Sequence, residues 1–304
     1  MILKTLDKNT ILTTIYTIVD DALKVPAVMK ILKRPGPEPE MSDAEVITVA
    51  VYQELIGEPR EDHFYRLHEK GLRPYFPHLI DRSRYNRRKK DLWSSILAVR
   101  VSVLVMLKAY EMETVATDSA PVPVIAYKRD KRATDFTDGG YGFCSSKAMK
   151  YFGYKFHELV SLMGVIVEFM LSSASPHDSQ ATEELISGHE ETLRLIIGDK
   201  AYNAPELQQF LKDQIGVILH APLKENQIQS ASQKSTAKFL STFRLIAETV
   251  NAQLQEQFHL SKHYAKSRWG LMTRIAAKVT AHTIGIMINL IFGRPRLALA
   301  SLAV

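Results

Sequence analysis

Residues 194–202 read RLIIGDKAY: three apolar residues, Leu195, Ile196 and Ile197, run into Gly198 and finish on Asp199, with Lys200 and Tyr202 behind them. A short apolar run bounded by a glycine has the length and composition of a buried strand. A carboxylate at its end is either a turn residue bonding its own backbone or a functional group carried out of the core at the edge of a sheet. The choice depends on what the rest of the chain places beside it.

Working outward, DSQATEELISGHEETL (178–193) has a polar helical pattern before that strand, and after it Pro205 opens a short helix and IGVILH (215–220) supplies another strand. Upstream, YKFHELVSLMGVIVEFMLSS (154–173) is rich in Val, Ile, Leu and Phe with Gly164 near its middle, which reads as two antiparallel strands. In METVATDSAPVPVIAY (112–127), β-branched residues and prolines replace the helical period, predicting a strand that ends near Asp118. DFTDGGYGFCSSK (135–147) reads as a long loop, and the chain is helical from about residue 236. The order strand, strand, strand, helix, strand, helix, strand, helix predicts an α/β fold, a five-stranded mixed sheet with helices on its faces.

The first hundred residues differ. Ile11, Ile15, Ile18, Val19 and Leu23 recur at helical spacing over 9–32, RPGPEPE (34–40) breaks the chain, and MSDAEVITVAVYQEL (41–55) begins with a capping-box signature at Ser42 and Glu45. Two further helices are expected at 61–70 and 83–110, around the proline-containing GLRPYFPHL. Two regions follow: an all-helical 1–110, and 111–304 with the sheet and the C-terminal helices.

The 304 residues are 46% hydrophobic, enough for a sizeable core, and 39 Lys+Arg against 33 Asp+Glu give a net charge of +6. That balance favours a polyanionic partner, nucleic acid first. The one cysteine, Cys144, excludes an internal disulfide and any multi-cysteine zinc site, and points to a reducing compartment, the cytoplasm. The N-terminal stretch carries acidic residues through its apolar periodicity, unlike a signal peptide. VTAHTIGIMINLIF (279–292) is shorter than the roughly 20 residues that span a bilayer and is interrupted by His282 and Asn289.

Three carboxylates stand out. If the strands ending at Asp118 and Asp199 are neighbours, their carboxylates emerge side by side, as functional groups do at strand ends in open α/β sheets. In STFRLIAETVNAQLQEQF (241–258), Glu248 lies four residues after Arg244 and three before Asn251, so the three share one helical face. Such a trio suits magnesium, an oxygen-seeking ion. Two ions roughly 3.5–4 Å apart serve in-line phosphoryl displacement, activating the attacking oxygen and stabilising the leaving one.

The combination of ATDSAP, IIGDKAY and FRLIAETVNAQL resembles the DDE transposases of bacterial insertion sequences. MSDAEVITVA, RSRYNRRKK, SPHDSQA and the closing IFGRP look most like the insertion-sequence 982 family, over nearly the whole chain. The resemblance implies a ribonuclease-H-like catalytic domain behind a helical DNA-binding region. It implies Asp118, Asp199 and Glu248 as catalytic and metal-holding residues, and two magnesium ions per site, with manganese as a substitute. It also implies DNA partners, element ends and target alike, cleavage followed by strand transfer, assembly as a homodimer or higher on paired ends, and a place with the bacterial nucleoid. Related families carry a Tyr three residues before the Arg and a Lys seven after the Glu. Here Ser241 and Gln255 stand in those places, and Lys262 and Lys266 are candidates to substitute.

DNA contacts are expected from RSRYNRRKK (82–90), through Arg82, Arg84, Arg87, Arg88, Lys89 and Lys90, with Asn86 or an arginine reaching a base edge. Arg244 and Asn251 would orient the backbone, and YKRDKRA (127–133) would meet DNA beside Asp118. His157 reads as a core histidine, His177 as a turn residue or a neighbour of the metal edge, and Asp178 as an N-cap. Tyr264 and Trp269 read as packing residues of the terminal helices or, alternatively, as aromatics that stack on a displaced base. Two other functions share these features: a metal-dependent nuclease of the same fold without strand transfer, and a non-catalytic DNA-binding protein derived from a transposase.

Overall fold

In the N-terminal region, local signals set the helix boundaries. The computed structural model describes residues 5–32, 36–144, 148–222 and 231–303. Asp7 caps α1 (Lys8–Leu23) by accepting from the Thr10 amide at 2.8 Å. The chain then breaks at Lys24 and Val25, and α2 (Pro26–Leu32) begins on a proline whose missing N–H costs nothing there. The single opening helix expected over 9–32 is therefore two. The capping box before α3 (Asp43–Leu55) is present, Ser42 Oγ accepting from Glu45 N while Glu45 accepts from Ser42 N. α4 (Glu61–Leu72), α5 (Arg82–Asp91) and α6 (Trp93–Met106) follow, the last two separated by Leu92 where one helix was expected.

The sheet begins with β1 (Thr114–Ala126), β2 (Gly140–Cys144), β3 (Met149–Ser161) and β4 (Ile166–Ser173). After α7 (Thr182–Ile186) come β5 (Leu195–Ile197), α8 (Pro205–Phe210), β6 (Ile218–His220) and α9 (Ala231–Glu256). The strand order is β2-β3-β1-β5-β6, with β4 also on β3. β2 pairs residues 149–153 of β3 and β4 pairs 154–160, so the two share one flank of that long strand. β1 and β3 are antiparallel, while β1, β5 and β6 run parallel. This mixed sheet behind N-terminal helices has the ribonuclease-H-like order.

Among the described residues the sheet has six strands, not the expected five, because β2 lies in the stretch read as a loop. Its sequence, GYGFC, looks unlike a strand. The glycines are there for close approach: a Cβ on Gly140 would fall 2.2 Å from Ser173 Oγ, and one on Gly142 would fall 2.6 Å from the Tyr151 ring. β1 is also longer than expected, running on to Ala126. Its pairing with β5 stops at Ala116↔Ile197, and beyond that point β1 is open on that flank, where Pro121 and Pro123 remove no ladder bond.

By contacts the chain divides into Met1–Leu107 with Leu254–Val304, and Lys108–Gln253. The last long helix, α10 (Arg268–Ile291), packs on α3 and α6 in the helical unit, whereas the sequence reading grouped it with the sheet. Two buried ion pairs tie this unit together, Lys278–Glu54 and Lys89–Glu61, each at 2.5 Å. Among the described residues, no helix is long and apolar enough to cross a membrane.

Candidate active site

Register places the first two carboxylates. Ala116 of β1 is level with Ile197 of β5; Asp118 stands two residues further along β1, and Asp199 two residues past the end of β5. The sheet splits between β1 and β5 at that level, so both carboxylates emerge where the ladder ends. β1 and β5 are neighbours, the condition on which the side-by-side expectation rested, although Asp118 sits inside β1 and not at its end.

Each carboxylate is held separately. Asp118 Oδ1 accepts from Ser119 N at 2.7 Å, and its Oδ2 accepts from Asn251 Nδ2 at 2.8 Å. Asp199 caps a short turn by accepting from Ala201 N at 2.8 Å. Tyr202 folds back under Gly198 so tightly that a Cβ there would lie 2.7 Å from Tyr202 Cβ. Glu248, half exposed on α9, pairs with Arg244 at 3.0 Å. The α9 face read from the sequence thus carries Arg244, Glu248 and Asn251 together, and its amide reaches Asp118.

Electrostatics joins the three. Burial pushes the Asp118 carboxyl above its ordinary value, the Asn251 and Ser119 hydrogen bonds oppose that, and the charges of Asp199 and Glu248 raise it further. All three carboxylates therefore act in one neighbourhood. Among the described residues, no three His, Cys, Asp or Glu side chains are gathered closely enough to coordinate one ion. The donor set is carboxylate oxygens alone, the donors that a hard divalent cation takes, with Arg244 offsetting the charge of Glu248.

Sequence reasoning missed two neighbours of the site. Glu158 stands directly opposite Asp118 across β1 and β3, is 1% exposed, and has no hydrogen-bond partner for either oxygen among the described residues. Burial, and after it the Asp118 charge, push its carboxyl well above the usual carboxylate range. Asp178 was expected to cap a helix, but His177 takes that role, accepting from Ser179 N. Asp178 instead accepts from Ser119 Oγ at 3.0 Å and Lys155 Nζ at 2.8 Å, anchoring the residue after Asp118. Only tertiary register could have revealed either role. His157 is a core histidine as read, bonded to Ser172 and pulled down to about 4 by burial.

The basic segment divides by face. Asp81 caps α5, Arg82, Arg84 and Arg87 are exposed, and Tyr85 and Lys89 point into the core. The expectation of a phosphate contact at Lys89 is corrected, because its side chain is 3% exposed and paired with Glu61. Arg88 is held by Asp43 at 2.6 Å and by the Met41 carbonyl, and Asn86 donates to Glu61 at 2.8 Å. Asn251 is likewise engaged inside the protein. The YKRDKRA patch is exposed, but it starts after Ala126, eight residues beyond Asp118, which is roughly 26 Å along a strand and not beside the site. Tyr264 and Trp269, read as packing residues, are each 55% exposed.

No curated protein and no solved structure matches the chain. The family model for the transposase DDE domain matches residues 110–284, from just before β1 into α10 and over more than half the chain. The match takes in Asp118, Asp199 and the helix that carries Glu248, and the chain belongs to the DDE-domain transposases.

Proposed function

We propose that this DDE transposase, of the insertion-sequence 982 type, cuts DNA at its element's ends and joins the released 3′ hydroxyl to target DNA. The observation that carries this reading is the shared level of Asp118 and Asp199 at the split between β1 and β5, with the Glu248-bearing face of α9 beside them. Asp118, Asp199 and Glu248 would hold magnesium, with manganese as substitute, which when bound lowers the pKa of water and neutralises charge on the phosphate oxygens.

The chain's own groups do the remaining work. Asn251 orients the Asp118 carboxylate through one bond and ties it to the Ser119 carbonyl at 3.3 Å through another. Asp178 and Lys155 fix Ser119 from behind. Arg244 neutralises Glu248 until a cation or a DNA phosphate competes for either partner. Arg82, Arg84 and Arg87 supply exposed phosphate contacts that position a duplex. Cytoplasmic location and assembly on paired ends accompany this reading.

The test is cleavage and joining of labelled element-end DNA with magnesium, by wild type and by Asp199→Asn. Wild type should cut and join while the variant binds without cutting. Equal behaviour of the two would reduce Asp199 to a turn residue, and cutting without joining would favour a nuclease.

A further inference from the structure

The helical unit contains a second chemically distinct feature, a cleft of about 540 Å³. That is within the range of about 300–1,000 Å³ typical of small-molecule sites. Its walls are the residues leading into α4, the outer face of α5, and the turn into α10.

The cleft is positive, and its positive charge is unspent. Five cations line it, against Glu61 and Asp62. Both acids are committed, Glu61 to the buried Lys89 at 2.5 Å and Asp62 to Arg60 at 2.6 Å. Arg274 donates to the Pro59 carbonyl at 3.0 Å. Arg82, Lys90 and Lys266 have no carboxylate partner among the described residues. Lys90 Cε lies 3.7 Å from where a Cβ on Gly270 would be, which brings its ammonium along the first turn of α10. That helix is 24 residues long, and its N-terminal N–H groups add to the attraction for an anion.

One wall is aromatic. Tyr264 lines the cleft, is 55% exposed, and sits at φ 53°, a left-handed conformation that a tyrosine rarely adopts. In the first turn of α10, the Trp269 indole donates to the Lys90 carbonyl at 3.0 Å, fixing α10 against the end of α5. Three unpaired cations beside an exposed ring are the elements of a site for a phosphate with an attached base.

We propose that this cleft holds one unpaired nucleotide of a DNA strand, its phosphate among Arg82, Lys90 and Lys266 and its base on Tyr264. The inference rests on the proposed function only in taking DNA as the ligand. The cleft lies wholly within the helical unit, so its variants leave Asp118, Asp199 and Glu248 untouched.

The experiment is fluorescence anisotropy of the full chain with a short labelled oligodeoxythymidylate and with a duplex of equal length, over a series of salt concentrations. Tyr264→Ala should weaken single-strand binding by about 5- to 100-fold and leave duplex binding within about twofold. Lys90→Ala with Lys266→Ala should reduce the single-strand salt slope by about 1–2. Lys266→Glu alone, at an exposed turn position, should weaken it in the same direction should the double variant fail to fold. Unchanged single-strand affinity in Tyr264→Ala, or an unchanged slope in the lysine variants, overturns the proposal. If wild type still cuts and joins element ends in that case, only the cleft assignment falls; if wild type binds neither DNA, both readings fall.

Discussion

The two units bury charge in opposite ways. In the helical unit Lys278 meets Glu54 and the Phe258 carbonyl, and Lys89 meets Glu61, so each buried charge has its partner. In the sheet unit Glu158 is buried with neither oxygen bonded, opposite an Asp118 whose carboxyl is pushed up by burial and by two like charges. Charge that serves architecture is neutralised locally. At and beside the candidate site, Asp118 and Glu158 have no such counter-ion among the described residues, a cost in stability that active sites commonly carry.

The contrast can be broken most forcefully at Lys278. Lys278→Met leaves Glu54 buried without its counter-ion and should cost about 3–5 kcal/mol in denaturant unfolding, while Lys278→Met with Glu54→Leu should recover most of it. Failure of the double variant to recover would mean that the pair does more than neutralise itself.

Acid should come next. His282, buried against Phe258 and near Arg100, is lowered to about 3, mainly by burial. The unfolded chain then binds a proton that the folded one refuses between about 6.5 and 3. Stability is therefore full above 6.5 and falls as pH drops through that window. His282→Met should flatten the fall, and an unchanged pH dependence would show that the titration lies elsewhere.

The sheet unit should respond in the other direction. Glu158→Met replaces an unbonded buried acid with an apolar side chain and should stabilise by about 1–3 kcal/mol, read as a rise in Tm. Asp118→Asn should give a smaller rise at pH 7 without added metal, because it removes the charge that burial and two neighbouring carboxylates disfavour. A fall in Tm for both would contradict the contrast.

Legibility followed the range of the interactions. RLIIGDKAY was readable because three apolar residues and a glycine make a strand end without outside help, and the capping box at Ser42 is equally local. β2 was hidden because Gly140 and Gly142 are dictated by Ser173 and Tyr151, residues of other strands. Lys89 read as surface because its partner Glu61 lies 28 residues away. Asp178 read as a cap because its bonds to Ser119 and Lys155 arise only from the sheet's register. The three candidate carboxylates were visible at element ends and on a helix face. The hydrogen bond from Asn251 to Asp118, across 133 residues, was not.

The most direct test of the account is manganese binding by the full chain, followed by isothermal titration, in wild type, Asp118→Asn and Asp199→Asn. The account predicts saturable binding to wild type with a rise in Tm, and loss of both in each variant. Equal binding by all three proteins would contradict it, because the carboxylates at the β1/β5 split would then not be what holds the ion.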